Sequence, residues 1–383
     1  MIRKSVLTNR KIKTIITDFV FLTILVFSLG SIPGMAAETD SQDLMAQVFA
    51  AAEKDLGDIG PEDTLIITDI GSPAESYVFL DSFYSEFYER DMKYTENLLV
   101  VQNARNAPLW FAFFNKSNGN CTFIEVSYGD EDEISYQVTE NIDFDKLSKN
   151  KKSIAAWNEK VNSTVFDGRE FAILTISNGW ATGKLDYELM QCLQLHNHFC
   201  PGVSSGFVLA DWMEENYPLE EGVSYTVFSC PNWCKEDVFV KRWDATPGKG
   251  GIFVSALTDE EKEIGNSPAG IFVVTNKSAG TMKAVVLGFD FDVVSAESGA
   301  KKDDPAWISK YLSDLWLMDR ENWDEEGLVT EIAVIDIDKD TLSEMKQAGN
   351  NPYVVLGLLN PEGNVRSSNG IRGIGNLFSK SKA

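Results

Sequence analysis

The chain repeats part of its own sequence, and this repetition restricts the fold more than any other feature. The segment 106–126 resembles 266–286, which begins about 160 residues later. Two further pairs of segments keep nearly the same separation, namely 156–157 with 315–316 and 171–177 with 330–336. A separation that is held along the chain indicates an internal duplication, in which each copy folds into the same unit.

A fourth pair of segments extends the duplication upstream with a shorter separation. The stretch 69–84 resembles 198–213, which begins about 129 residues later. In this alignment Asp69 stands at the position of His198. We therefore expect the first repeat to keep the fold without the polar site residues of the second.

Local patterns within the repeats favour a mixture of helices and strands. Apolar residues recur at helical spacing in 203–216. The runs 270–276 and 282–291 are rich in β-branched and aromatic residues and flank a turn-like segment, which predicts a hairpin. The segment 109–126 is expected to form its counterpart in the first repeat. The predicted fold class is therefore α+β, with two related repeats.

The beginning of the chain has the layout of a secretory signal peptide. Basic residues precede the apolar run 19–32, and small residues near Ala36 and Ala37 suit cleavage. The alternative is an uncleaved anchor, but the run is shorter than the roughly 20 residues that a spanning helix needs. We predict a secreted, cell-surface or periplasmic protein, attached to a membrane only if this segment is retained.

These boundaries give a predicted organisation of the chain. It comprises a signal peptide at 1–37, a degenerate first repeat at 40–185, a second repeat with the site at 186–363 and a flexible tail at 364–383. The charge is strongly acidic, with 34 lysines and arginines against 58 aspartates and glutamates. Nucleic-acid binding needs a basic surface, so we expect no nucleic-acid partner.

Chemically useful residues are concentrated in one short stretch. The chain of 383 residues has two histidines, His196 and His198, and both lie within four positions of Cys200. On an extended segment, residues two apart point the same way, so we expect all three side chains along one edge. Imidazole and thiolate together suit zinc or another soft divalent metal. Structural packing is the alternative interpretation.

Pro201 marks the start of a helix, because a residue without an N–H group is tolerated at the first helical position. Cys200 is then expected at the N-cap, where the positive end of the helix favours a thiolate and lowers its pKa. A thiolate serves either metal binding or nucleophilic chemistry. Cys200 as nucleophile and His198 as base are therefore the candidate catalytic residues.

A downstream stretch supplies further candidates. Cys230 and Cys234 are four apart, a spacing that allows a contact on a helix, a disulfide or one more metal ligand. Asp237 is suited to orient a ligating group by accepting a hydrogen bond, or is an exposed helix carboxylate. The loop 246–251 lacks phosphate-loop spacing, and we expect a tight turn with Lys249 facing the site. Asp237 and Lys249 are thus candidate cofactor-binding residues.

The stretch His196-Asn-His-Phe-Cys-Pro-Gly resembles the His-Gly-His-x-Cys-Pro-Gly signature of the formylmethanofuran dehydrogenase (FmdE) family. The downstream Cys234 with Asp237, and the loop 246–251, are similar to the segment that follows in that family. The chain departs from the pattern at Asn197, which replaces glycine, and at Ala245, where the family has a second downstream cysteine.

The resemblance implies an α+β core and a metal, most often zinc, beside the motif. The candidate ligand set is His196, His198, Cys200 and Cys234. The resemblance implies no established reaction. We therefore predict an exported metal-binding protein of this family, with a homodimer as a further expectation. Two alternatives stay open: a thiol-dependent redox or transfer enzyme that uses Cys200, and a non-enzymatic surface or partner-binding protein.

Overall fold

The computed structural model describes residues 35–129, 132–259, 261–264 and 267–360. The predicted signal peptide lies outside these residues except for its last positions, 35–37, which fall in the first helix. The predicted tail at 364–383 also lies outside them. Within the described ranges, none of the helices combines the length and the apolar character that crossing a membrane requires.

The first half of the chain supplies these elements in order: α1 (Met35–Leu56), β1 (Thr64–Thr68), α2 (Leu80–Glu89), α3 (Tyr94–Asn97), β2 (Leu98–Val100), β3 (Leu109–Asn115), β4 (Asn120–Ser127), β5 (Glu133–Asn141), α4 (Phe144–Lys149), α5 (Lys151–Asn162) and α6 (Glu170–Ala181). The second half supplies α7 (Tyr187–His196), α8 (Pro201–Asn216), β6 (Val223–Ser229), α9 (Glu236–Trp243), β7 (Ile252–Val254), β8 (Pro268–Asn276), β9 (Thr281–Phe289), α10 (Phe291–Glu297), α11 (Ala306–Leu317), β10 (Val329–Asp336), α12 (Lys339–Met345) and α13 (Pro352–Val355). Short 3-10 helices lie at Ser76–Phe79, Pro247–Lys249, Glu261–Ile264 and Arg320–Asn322.

Each half contains one five-stranded sheet, and the two sheets share one topology. The strand orders are β2-β1-β3-β4-β5 and β7-β6-β8-β9-β10. In each sheet the first pair is parallel and the remaining pairs are antiparallel. The predicted hairpins are present and close at equivalent pairs, Asn115 with Asn120 and Asn276 with Thr281. The α+β fold class with two related repeats is thus confirmed.

Two of the sequence pairings are wrong in structural terms. The segment 171–177 lies in α6, whereas 330–336 is β10, so one separation aligns a helix with a strand. The segment 69–84 follows β1, whereas 198–213 precedes β6. Asp69 is therefore not the counterpart of His198, and by its place before the first strand α1 is the counterpart of α8. The pairings fail because β5 follows β4 directly, while α10 and α11 separate β9 from β10.

A shared apolar cluster joins one face of each sheet. Side chains alternate between the two faces of a strand, and Ile67 of β1 and Val227 of β6 both contribute to this cluster. Helices α6 to α9 and α11 contribute to it as well. The opposite faces pack separately, Ile66 against α1 and α2, and Val273 against α12 and α13. The second repeat therefore holds α7, α8 and α9 on the shared cluster.

Candidate metal centre

A tight connection between α7 and α8 carries the His-x-His-x-Cys motif. The helix α7 ends at His196, and Asn197 follows in the left-handed conformation with φ of 60°. Cys200 is the N-cap of α8, with Pro201 in its first turn, as predicted. The expectation of an extended segment is wrong, because the left-handed residue turns the chain. Asparagine tolerates this conformation better than most residues with a side chain, which makes it a workable replacement for the family's glycine.

Two glycines let the segment before α9 lie close against the first turns of α8. A Cβ atom on Gly202 would lie 3.1 Å from Cβ of Cys234. A Cβ atom on Gly206 would lie 2.8 Å from Cγ2 of Val238 and 3.0 Å from the backbone of Lys235. Because neither glycine carries a side chain, Cys234 reaches the N-terminal end of α8, where Cys200 lies.

Three side chains meet at this point and form what we call the His/Cys group: His196, Cys200 and Cys234. Their ligand atoms all lie within 4.8 Å of one another. Nε2 of His196 is 3.7 Å from Sγ of Cys200. The other ring nitrogen, Nδ1, is 2.7 Å from Oδ2 of Asp237. The carboxylate therefore holds the imidazole so that Nε2 is directed at the sulfurs, an arrangement typical of metal-ligating histidines.

His198 lies beside the His/Cys group but is not a member of it. Its ring centroid is 4.5 Å from that of His196, and the two planes are tilted by 39°. Its Nδ1 lies 2.9 Å from Oδ1 of Asn197. Its ring also contacts Phe171 and lines a neighbouring cavity. The structure thus brings three of the four predicted ligands together and places His198 on the adjoining wall.

Hydrogen bonds distribute charge unevenly within the group. The pKa of Cys234 is lowered because it accepts hydrogen bonds from the Cys200 thiol and from His196. Burial alone lowers the pKa of His196, but hydrogen bonds to Asp237 and Cys234 outweigh burial and raise this pKa to about 9. Burial and the neighbouring His196 lower the pKa of His198.

The pKa of Cys200 is raised, which contradicts the expectation that the start of α8 favours its thiolate. The main cause is the hydrogen bond between its thiol and Cys234, and burial adds to it. Two sulfurs at this separation cannot both ionise easily, and His196 stabilises the charge on Cys234. Without a bound metal, the thiolate of the pair is therefore Cys234.

Two other predicted residues are placed away from the His/Cys group. All five cysteines are free, so Cys230 and Cys234 are not joined by a disulfide. Cys230 is buried in the separate cluster against α13, where its carbonyl accepts a hydrogen bond from Tyr353. Lys249 is exposed and pairs with Asp244, and none of its contacts in the described part of the chain reaches the group. Its predicted role at the site has no support in this geometry.

Sequence reasoning missed a buried lysine next to the group. Lys235 is fully buried, and its ammonium donates to Ser229 Oγ and to the Pro231 carbonyl, each at 2.7 Å. Burial lowers its pKa to about 8. These bonds tie the segment before α9 to the end of β6, which fixes Cys234. Charged residues are seldom fully buried, and the sequence gives no sign that this lysine is.

A buried carboxylate was missed as well. Asp314 on α11 is fully buried, and Oδ1 accepts a hydrogen bond of 3.2 Å from Ser204 of α8. Burial raises its pKa well above the ordinary range. Its Oδ2 has no hydrogen-bond partner among the residues that the structure describes. The signal was an aspartate within the largely apolar run 306–317, where a charge suggests a partner or a function.

Comparison with protein families supports this picture of the site. Residues 195–321 match the family model described as "FmdE, Molybdenum formylmethanofuran dehydrogenase operon". The matched region contains the whole His/Cys group together with Asp237 and Asp314. No curated protein matches the chain. The part of the chain that carries the His/Cys group belongs to the FmdE family.

Proposed function

We propose that this protein binds zinc through His196, Cys200 and Cys234. The observation that carries the proposal is the convergence of the three ligand atoms within 4.8 Å. A histidine nitrogen and two sulfurs are donors that zinc prefers over magnesium or calcium. The family match supports a metal-binding role for this region, and the choice of zinc rests on the donor set.

The surroundings of the three side chains suit a metal ion. Asp237 engages Nδ1 of His196, which leaves Nε2 free to bind. Cys234 already favours the thiolate, the form that binds metals. A zinc ion with three protein ligands has room for one more ligand, and when bound it supplies a Lewis acid. His198 and the adjoining cavity lie on the side where such a ligand would be held.

Metal analysis of the purified protein tests this proposal. We expect about one zinc per chain in the wild type and little in Cys234→Ser or His196→Gln, since each variant removes one of three donors. Cys121→Ala is the matched control, because Cys121 is a buried thiol of the first repeat. Wild-type protein that stays free of metal after incubation with zinc would overturn the proposal. A Cys121→Ala variant that loses metal as Cys234→Ser does would overturn the assignment of ligands.

A second candidate function is thiol chemistry. The observation that favours it is the lowered pKa of Cys234 beside the protonated thiol of Cys200. The nucleophile of such an enzyme would be Cys234, and not Cys200 as the sequence suggested. Alkylation by iodoacetamide at neutral pH, mapped by mass spectrometry, should then modify Cys234 first and abolish activity. Protection of Cys234 by equimolar zinc would favour the metal-binding function instead.

We also propose that the protein is exported. The support is the basic, apolar and small-residue layout of 1–37. N-terminal sequencing of the protein recovered from its native compartment should begin near Glu38, and an intact Met1 would contradict cleavage. The predicted homodimer and the retained membrane attachment stay predictions, which size measurements and membrane fractionation would check.

A further inference from the structure

A cavity of about 410 Å³ lies beside the His/Cys group, where residues of both repeats meet. The first repeat supplies the loop after β2, Trp110 of β3 and the beginning of α6, and the second supplies Asn197 and His198. The segment 197–200 that lines the cavity also carries Cys200, so the cavity and the group share a wall. A cavity of this size is typical of sites for small molecules.

Arg169 is the cation that lines this cavity. Its guanidinium carbon lies 5.1 Å from the centre of the Trp110 ring, which holds the group in place. Nη1 donates to the carbonyl of Asp167 at 2.9 Å and also to its carboxylate. Nε and Nη2 have no hydrogen-bond partner in the described ranges of the chain. These two N–H groups form the edge of a guanidinium that binds a carboxylate with two parallel hydrogen bonds.

Other donors at the same wall also lack acceptors. Trp110 is 3% exposed, and its buried Nε1 has no partner among the residues that are described. The helix α6 is 12 residues long and begins at Glu170. Phe171 and Ala172, in its first turn, line the cavity. Backbone N–H groups of a first turn carry the positive end of the helix dipole, so this wall favours an anion.

Negative charge near the cavity limits the charge of the ligand. Asp167 lines the cavity and already pairs with Arg169, which offsets part of the positive charge. Asp69 lies behind the wall and accepts hydrogen bonds from Nδ2 of Asn103 at 2.8 Å and from the Trp110 amide at 3.0 Å. Asp69 therefore positions two wall residues. One free guanidinium edge beside a paired carboxylate suits a monoanion better than a dianion.

We propose that this cavity binds a small organic carboxylate, held by Nε and Nη2 of Arg169. The apolar body of the ligand packs on Phe171 and extends toward His198, beside the His/Cys group. The proposal deepens the proposed function, because it names the class of ligand that the metal centre would act on. Only this link to the metal rests on the proposed function, since the carboxylate contacts require no metal ion.

Binding of benzoate, measured by calorimetry or ligand-observed NMR, tests the site. We expect saturable binding of benzoate and binding of neutral benzamide weaker by about tenfold or more. Arg169→Gln should weaken benzoate binding by a similar factor. Arg105→Gln is the matched control, because Arg105 carries the same charge nearby but does not line this cavity. Ala172→Trp fills the cavity without altering Arg169, and it should also abolish binding.

The outcomes separate this site from the metal centre. Benzoate binding that disappears in both folded variants, with or without zinc, supports the cavity whatever the metal content proves to be. Absence of benzoate binding to folded wild-type protein, or equal binding in Ala172→Trp, overturns the proposal. In cobalt-substituted protein, benzoate should change the visible absorption spectrum. A spectrum that stays unchanged while benzoate binds overturns the placement of the ligand beside the metal.

Discussion

The hydrogen bond between Asp237 and His196 is the contact that most clearly prepares the site for a metal. It occupies Nδ1 at 2.7 Å and leaves Nε2 directed at the sulfur of Cys200. The carboxylate is about one-third exposed, with a relative side-chain exposure of 36%. Its contribution to folding stability is therefore weakened by solvent, and its main effect is on the orientation and basicity of the ligand.

Replacing Asp237 by asparagine should weaken zinc binding without unfolding the protein. Loss of such a carboxylate partner costs roughly 10- to 100-fold in metal affinity. Competition with a chromophoric chelator measures the affinity, and circular dichroism verifies the fold. Asp244→Asn, in which an exposed aspartate changes in the same way, should keep the wild-type affinity. Equal affinities for the two variants would show that Asp237 does not orient the ligand.

Asp69 gives the folding stability a distinct pH dependence. Burial raises its pKa from 3.8 to about 6, although hydrogen bonds from Asn103 and Trp110 oppose the shift. A carboxyl with a raised folded-state pKa contributes stability that is full below pH 3.8 and is lost as pH rises through about 6. The fully buried group makes this contribution roughly 3 kcal/mol, at about 1.4 kcal/mol per pKa unit.

Asp69→Asn should remove that dependence, because the amide does not ionise. The difference in unfolding free energy between wild type and variant, measured by urea denaturation from pH 4 to pH 7, should change by a few kcal/mol. Asp81→Asn, at an exposed position of α2, should run parallel to wild type. Parallel curves for Asp69→Asn as well would mean that the buried carboxyl does not titrate in this range.

Rarity made the His/Cys group predictable at the residue level. Two histidines and five cysteines in 383 residues leave few combinations, and His196, Cys200 and Cys234 were all candidates. The position of His198 was not predictable, because it depends on the left-handed turn at Asn197. The protonation of the two thiols depends on the contact between Cys200 and Cys234, which are 34 positions apart and meet only in the folded chain.

At the level of elements, local signals were reliable and long-range pairing was not. The hairpins were predicted because strand pattern and turn lie within about 20 residues of each other. The segment 171–177 was paired with a strand because a short apolar run does not distinguish a strand from a buried helix. In the fold this segment is part of α6, on the shared apolar cluster. Tertiary burial, and not its own pattern, decides its conformation.

The close contact between α8 and α9 gives an element-level prediction. Gly206→Ala places a Cβ atom 2.8 Å from Val238 and 3.0 Å from backbone atoms of Lys235, so the segment carrying Cys234 must move outward. Such overpacking costs roughly 1 to 3 kcal/mol, and zinc affinity should fall with it. Thermal unfolding and chelator competition measure both effects. Gly248→Ala meets no atom within 4 Å and should change neither quantity, whereas wild-type affinity in Gly206→Ala would contradict the packing argument.

At the scale of the whole molecule, the shared apolar cluster joins the two repeats. It contains Leu65 and Ala112 of the first sheet and Phe272 and Leu287 of the second. Neither repeat can bury that face alone, so separation would expose it to water at roughly 25 cal/mol per Å² of apolar surface. The duplication was readable from the sequence, but this union was not, because segment similarity says nothing about which faces meet.

Unfolding of the metal-loaded protein should therefore be one cooperative transition, and removal of zinc should lower its midpoint as a whole. A ligand that binds only the folded state stabilises it by about 4 kcal/mol at a thousand times its dissociation constant. Calorimetry with and without a chelator measures the shift. Cys234→Ser should start near the chelated midpoint and show no further change with chelator. Two separate transitions, with only one of them sensitive to chelator, would contradict the single unit, because the His/Cys group would then stabilise the second repeat alone.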